Sequence, residues 1–283
     1  MSSTARFAKS LMAAERLANP LHVVRKRMFA KPSDCMTIID KSTRVSCLCN
    51  VGSYHMFGET WYSHVYDVPG LPIRPNDVVL DIGANQGFFT CYAASKGAMV
   101  YAFEPVPALY ERLVSNVEKN GFTRQVTAIK CAVSDSDKPV EMLVSQSFGG
   151  GQSTINPEFA RQFGLSNSQR ITVECRTLPQ ILTEFATPSV RMCKIDIEGA
   201  ELRLLSTLQP HHLEQIQGFA MEYHPGAYDL HSLIKLLLNW GTHQVSLMEQ
   251  KAYTGDVLHL ISTKALESLF GQSTESLAVE LSA

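Results

Sequence analysis

The 283-residue chain is predicted to be an α/β protein. The expected architecture is a mostly parallel sheet with helices on both faces, a C-terminal antiparallel hairpin and a small N-terminal α/β cap. Three observations predict it. From residue 76 onward, short apolar and β-branched runs alternate with stretches of helical period. A glycine-bearing turn, GANQG, joins the first of these runs to a helix. Near the C-terminus, two apolar runs follow each other so closely that they must pair antiparallel, because a parallel return needs a long crossover.

Upstream, residues 5–29 read as an amphipathic helix broken at Asn19-Pro20, and MTIID with RVSCLCN as a small hairpin. DVVLDIG (77–83) is the first strand of the main sheet, and QGFFTCYAASKG (86–97) a helix ended by a glycine cap. MVYAFEP (99–105) is the second strand. PALYERLVSNVEKNG (107–121) is a helix with Pro107 in its first turn and Asn120-Gly121 as its stop, and VTAIKCAVSD (126–135) is the third strand. PVEMLVS and RITVECRT are extra strands flanking FGGGQSTINPEFARQFGLSNSQ, whose glycines at 149–151 suit either a plain surface loop or a lid over a ligand. A helix near 177–186, the strand VRMCKIDIEG (190–199), a helix over 200–208, the strand GFAMEYHP (218–225) and a helix over 228–240 lead to the hairpin of HQVSLMEQ and DVLHLIST. The expected organisation is a cap over 1–70, the main domain over 71–263 and a peripheral tail over 264–283.

With 45% hydrophobic and 18% charged residues, the chain has the composition of an ordinary globular protein. Its net charge of −2 gives no electrostatic reason to expect a nucleic acid. Seven cysteines without C-x-x-C pairs read as reduced thiols of a cytoplasmic protein. No secretory leader opens the chain, and no apolar run reaches the roughly 18 residues of a membrane span. The expected partner is therefore a small-molecule substrate, not a nucleic acid or a membrane. A homodimer through the N-terminal helices is left open.

Ligands of an open parallel α/β sheet bind beyond the carboxyl ends of its strands. The turn after the first strand places Asp81, Gly83, Asn85 and Gly87 there, and Glu104 ends the second strand 21 residues after Gly83. That interval suits a carboxylate accepting hydrogen bonds from ribose hydroxyls. An acid at the turn would repel a pyrophosphate but suits the ammonium of a methionine moiety, so S-adenosyl-L-methionine is expected over a nicotinamide dinucleotide. Asp196 and Glu198 end the fourth parallel strand and face the same crevice. Unpaired buried carboxylates are costly, which implies a cation among them, with Lys194 as an internal ion-pair partner. EYHP presents Glu222 and His224; the imidazole is the expected general base, oriented by Glu222 or Asp196. A hard divalent ion on Asp196, Glu222 and His224 is an alternative, but no resident metal is expected.

DIGANQGFFT, YAFEPVP, CAVSD, KIDIEGAE and EYHP, in this order and spacing, resemble the FkbM family of S-adenosylmethionine-dependent methyltransferases across residues 55–260. The resemblance implies a Rossmann-like class I methyltransferase sheet. It also implies O-methylation of a small metabolite or glycan, often in natural-product pathways, with C- or N-methylation as the alternative. By position it puts Asp81, Gly83, Asn85 and Gly87 at the methionine end, Glu104 at the ribose, Ala132, Val133 and Ser134 at the adenine edge, and Asp196 near the methyl group. Ala84 and Pro105 count among the cofactor contacts. FGETW resembles the family's block before the first strand and makes Glu59 a cofactor contact from the cap. A dehydrogenase and an inactive adenosyl-binding scaffold are the competing readings.

Overall fold

Proline is at home where a helix begins, since the first turn leaves its amides unpaired anyway. Accordingly Pro20 opens α1 (Pro20–Phe29). The computed structural model describes residues 15–145, 153–162, 164, 168–185, 189–240, 243–248 and 256–265, so most of the helix expected before Asn19 lies outside the described residues. Residues 15–18 form a turn and a bridge from Leu17 to Asp40, not a helix. Asn19 instead ties α1 to the hairpin: its Nδ2 donates to the Thr37 carbonyl (2.8 Å) and its Oδ1 accepts from the Ile39 amide (3.0 Å). That hairpin is β1 (Cys35–Ile39) with β2 (Ser46–Asn50), antiparallel as expected, and α2 (Tyr54–Trp61) follows.

The main sheet starts with β3 (Val78–Ile82), α3 (Phe88–Ser95), β4 (Met99–Phe103), α4 (Pro107–Lys119) and β5 (Val126–Ile129). The single strand expected over 126–135 is in fact two. The chain breaks after Ile129, and β6 (Ala132–Ser134) leaves the sheet. RITVECRT divides in the same way. After β7 (Val140–Val144), β8 (Ser153–Thr154) and α5 (Pro157–Gln162), β9 (Gln169–Val173) pairs antiparallel with β7, while β10 (Cys175–Thr177) pairs parallel with β6. The glycines at 149–151, read as either a surface loop or a lid, lie outside the described residues. The chain continues through α6 (Leu178–Glu184), β11 (Met192–Ile195), α7 (Glu201–Leu205), α8 (Pro210–Leu213), β12 (Gly218–Tyr223), α9 (Leu230–Trp240), β13 (His243–Met248) and β14 (Asp256–Ser262).

Seven strands form the sheet in the order β5-β4-β3-β11-β12-β14-β13. All neighbours are parallel except β14, which runs antiparallel to both β12 and β13. The strand order reverses between β3 and β11, which is where an open α/β sheet leaves a crevice. One apolar core joins α3 and α4 on one face to Ile38, Cys47, Phe57 and Trp61 of the N-terminal segment. A second core packs α6, α7, α8 and α9 on the other face. Among the described residues, no helix is long and apolar enough to cross a membrane.

Candidate active site

β3 and β11 lie side by side with Asp81 opposite Lys194, so the register itself sets a buried acid against a buried base. Lys194 Nζ donates to the Gly83 carbonyl (2.6 Å) and lies 3.4 Å from Asp81 Oδ1 and 3.5 Å from Asp196 Oδ2. Burial disfavours its charge, but Asp196 and Asp81 outweigh that and raise its pKa. Lys194 is thus a resident cation, and it pairs with both acids where one partner was expected. Asp81 Oδ2 also accepts from Thr90 Oγ1 at 2.5 Å, and the side chain is fully buried. Asp81 therefore sits behind the wall of the crevice and does not present its carboxylate to a ligand, contrary to the expected methionine contact.

The crevice is lined by Gly83, Asn85, Glu104, Pro105, Ala132, Val133, Asp196 and Glu198, with Leu109, Met142 and Ile155 supplying apolar surface. Gly83 has φ +77, and a Cβ there would stand 1.8 Å from the Asp196 carbonyl oxygen. Only glycine lets the two strand ends approach this closely. Asn85 adopts φ +52, a left-handed conformation that asparagine tolerates. Its amide donates to Glu104 Oε2 and the Val106 amide to Glu104 Oε1, both at 2.8 Å. Burial nevertheless pushes the Glu104 carboxyl up to about 7, against those two amides and Lys194.

Several other expected contacts serve the fold. A Cβ on Gly87 would meet Leu113 Cδ1 at 2.6 Å, so this glycine lets α3 approach α4. Ala84 is buried beneath the turn. Ser134 donates to Asp135 Oδ1 and is not on the crevice wall. Glu59, on α2, is brought near Asp196; burial first, and then that like charge, push its carboxyl up to about 7.

The strand expected over 190–199 ends at Ile195, because Glu198 and Gly199 take φ of +54 and +93 and turn the chain out of the sheet. This loop and the end of β12 gather a carboxylate cluster. Glu201 pins it. Its fully buried Oε1 accepts from the amides of Ile197 (3.1 Å) and Gly199 (3.2 Å) and from His224 Nδ1 (2.9 Å). The imidazole is thus oriented by Glu201, not by Glu222 or Asp196, which lie 3.9 and 3.8 Å from Nε2. Tyr66 extends its hydroxyl to Asp196 (3.4 Å) and Glu222 (3.5 Å). Burial opposes a charge on His224, yet Glu201, Glu198 and Glu222 together push its pKa well above the ordinary imidazole value. The three carboxylates thus favour the protonated ring over the neutral one that the expected general base needs. Burial and then Asp196 push Glu222 well above the usual carboxylate range.

Sequence reasoning missed Glu201 and Tyr66. Glu201 had a signal, an acid in the first turn of α7 three residues after Glu198. Tyr66 had none, since it reaches the cluster from a segment with no motif.

The seven-stranded order, the crevice at its reversal point and the acids at its strand ends define a class I, Rossmann-like methyltransferase fold. The chain belongs to the FkbM methyltransferase family, whose domain matches residues 81–243. It is 26% identical over 200 residues to methyltransferase sdnD of Sordaria araneosa, covering 62% of this chain and 76% of that one. It is 24% identical over 233 residues to the 31-O-demethyl-FK506 methyltransferase FkbM of Streptomyces tacrolimicus, covering 74% of this chain and 88% of the relative. Among solved structures, the METTL16 MTase domain aligns with a TM-score of 0.46 and 13% identity over 92% of each chain.

Proposed function

We propose that this methyltransferase uses S-adenosyl-L-methionine to methylate a hydroxyl of a small natural-product-type metabolite. Glu104 carries the reading. Its carboxylate is fixed by two backbone amides on the crevice wall, beside an apolar slot formed by Val133, Leu109, Met142 and Ile155. Oxygen lone pairs next to an apolar slot fit a ribose attached to a flat base. Asn85 and Gly83 would border the amino-acid end, and Asp196 the sulfonium. When bound, the cofactor supplies an electrophilic methyl group that an acceptor lone pair takes from sulfur.

The chain's own residues hold the acceptor and receive its proton. Glu222 is the assigned proton acceptor in its ionised form, because its carboxylate stands at the end of β12 beside Asp196, with the Tyr66 hydroxyl reaching both. Asp196 and Tyr66 orient the acceptor, and the His224 ring, anchored by Glu201, faces Glu198 and Glu222 at 3.4 and 3.9 Å. Oxygen is preferred as the nucleophile because the substrate for which the Streptomyces relative is named is an O-demethyl compound. Methylation at carbon or nitrogen is the alternative.

Calorimetry with S-adenosylhomocysteine and with NAD(H) tests the cofactor. The first is expected to bind and the second not. Glu104→Ala should weaken binding by about 1.5–3 kcal/mol, or roughly 10–150-fold. Unchanged affinity would remove the ribose assignment, and turnover of a labelled methyl donor with host extracts would identify the acceptor.

A further inference from the structure

We propose that Asp196, Glu198 and His224 form a binding site for one divalent cation of the Mn²⁺ kind. The proposal rests on the methyltransferase reading for its use, but not for its geometry. The three side chains each offer a ligand atom, and these atoms all lie within 4.8 Å of one another. Ligands about 2.0–2.2 Å from one small cation stand roughly 3–4.5 Å apart, so a modest contraction closes the set. The sequence alternative named Asp196, Glu222 and His224. The structure substitutes Glu198, whose Oε2 is 3.4 Å from His224 Nε2, and leaves Glu222 at 3.9 Å as an outer neighbour.

A cluster of acids alone would not be enough. The second observation is the imidazole. His224 is only 4% exposed, and its Nδ1 is committed to Glu201. Its Nε2 therefore points at the carboxylates of Glu198, Asp196 and Glu222, and among the described residues it hydrogen-bonds to none of them. A buried ring nitrogen aimed at carboxylates and held from behind by another carboxylate is the arrangement found where histidine ligates a metal; the cation takes the Nε2 lone pair, and the proton that the carboxylates hold there in its absence leaves to solvent. The nearest resident cation, Lys194, is already occupied by Asp81, Asp196 and the Gly83 carbonyl, which leaves the Glu198 carboxylate facing His224 Nε2 at 3.4 Å. The mixed oxygen and nitrogen donors suit Mn²⁺ better than Ca²⁺. A cation here borders the crevice through Asp196 and Glu198 and could take an acceptor oxygen as a further ligand.

The test uses the full chain, stripped with a chelator and titrated with MnCl₂ while free Mn²⁺ is followed by electron paramagnetic resonance. One Mn²⁺ per chain is expected, with ¹⁴N coupling from an imidazole in the spin-echo spectrum. Glu198→Gln, on a partly exposed side chain, should weaken binding about 10-fold or more, and Glu201→Gln about 10–100-fold. His224→Asn should abolish the ¹⁴N coupling. Absence of stoichiometric binding, or equal affinity in Glu198→Gln, would overturn the proposal. S-adenosylhomocysteine binding is measured on the same metal-free chain. If it is retained while Mn²⁺ does not bind, only the cation site fails; if it is lost, the cofactor reading fails.

Discussion

Glu104 shows how a residue easily found in the sequence acquires its character from its surroundings. Its position at the end of β4 could be counted from Gly83, but the burial that pushes its carboxyl up to about 7 could not. A folded pKa above the unfolded one means that the native state keeps a proton the unfolded chain has released. The stabilising contribution is present below about pH 4.5 and is lost as pH rises through about 7. Replacing Glu104 by Gln should therefore stabilise the ligand-free protein increasingly, relative to wild type, between about pH 5 and pH 8. Calorimetric melting of the two proteins across that range checks the sign. A constant or shrinking difference would mean that Glu104 ionises freely. The role of His224 changes for a related reason: its type and place suggested a base, but Glu201, Glu198 and Glu222 close around it from other parts of the chain.

Between elements, the decisive contact is the approach of the β3 and β11 ends. Gly83 and Gly121 share nearly the same left-handed backbone, φ +77 and +73, but a Cβ at Gly121 meets nothing within 4 Å. Alanine at Gly121 should cost about 1–3 kcal/mol from backbone strain alone. Alanine at Gly83 adds a collision with the Asp196 carbonyl and should cost clearly more, or leave no folded protein. Urea denaturation of the two variants tests the order, and equal losses would contradict the geometry. The strands, helices and closing hairpin were readable because periodicity and terminating glycines are local signals. The departure of β6 and β10 from the expected single strands was not, since their pairing depends on segments more than 40 residues apart.

At the scale of the molecule, the N-terminal hairpin and the sheet are bound into one core. Asn116, fully buried on α4, acts as a strand edge for β2: its Oδ1 accepts from the Leu48 amide (2.7 Å), and its Nδ2 donates to the carbonyls of Leu48 (3.0 Å) and Gln86 (2.8 Å). Asn120, one turn on, does the same for Ser46. Asn116→Ala strands these groups and should cost about 1–3 kcal/mol. Because the core is shared, the loss should appear as one shifted unfolding transition by both circular dichroism and tryptophan fluorescence; two separated transitions would show that the cap folds alone. The sequence by itself determined the alternation of elements, the glycine turn, the acids at the strand ends and the family, because each is a local pattern or an ordered set of motifs. Only the tertiary structure decided which acids reach the crevice, which are spent on Lys194, and that Glu201 and Tyr66 complete the cluster. Those outcomes depend on register between strands far apart in the chain and on burial, which no local window of residues encodes.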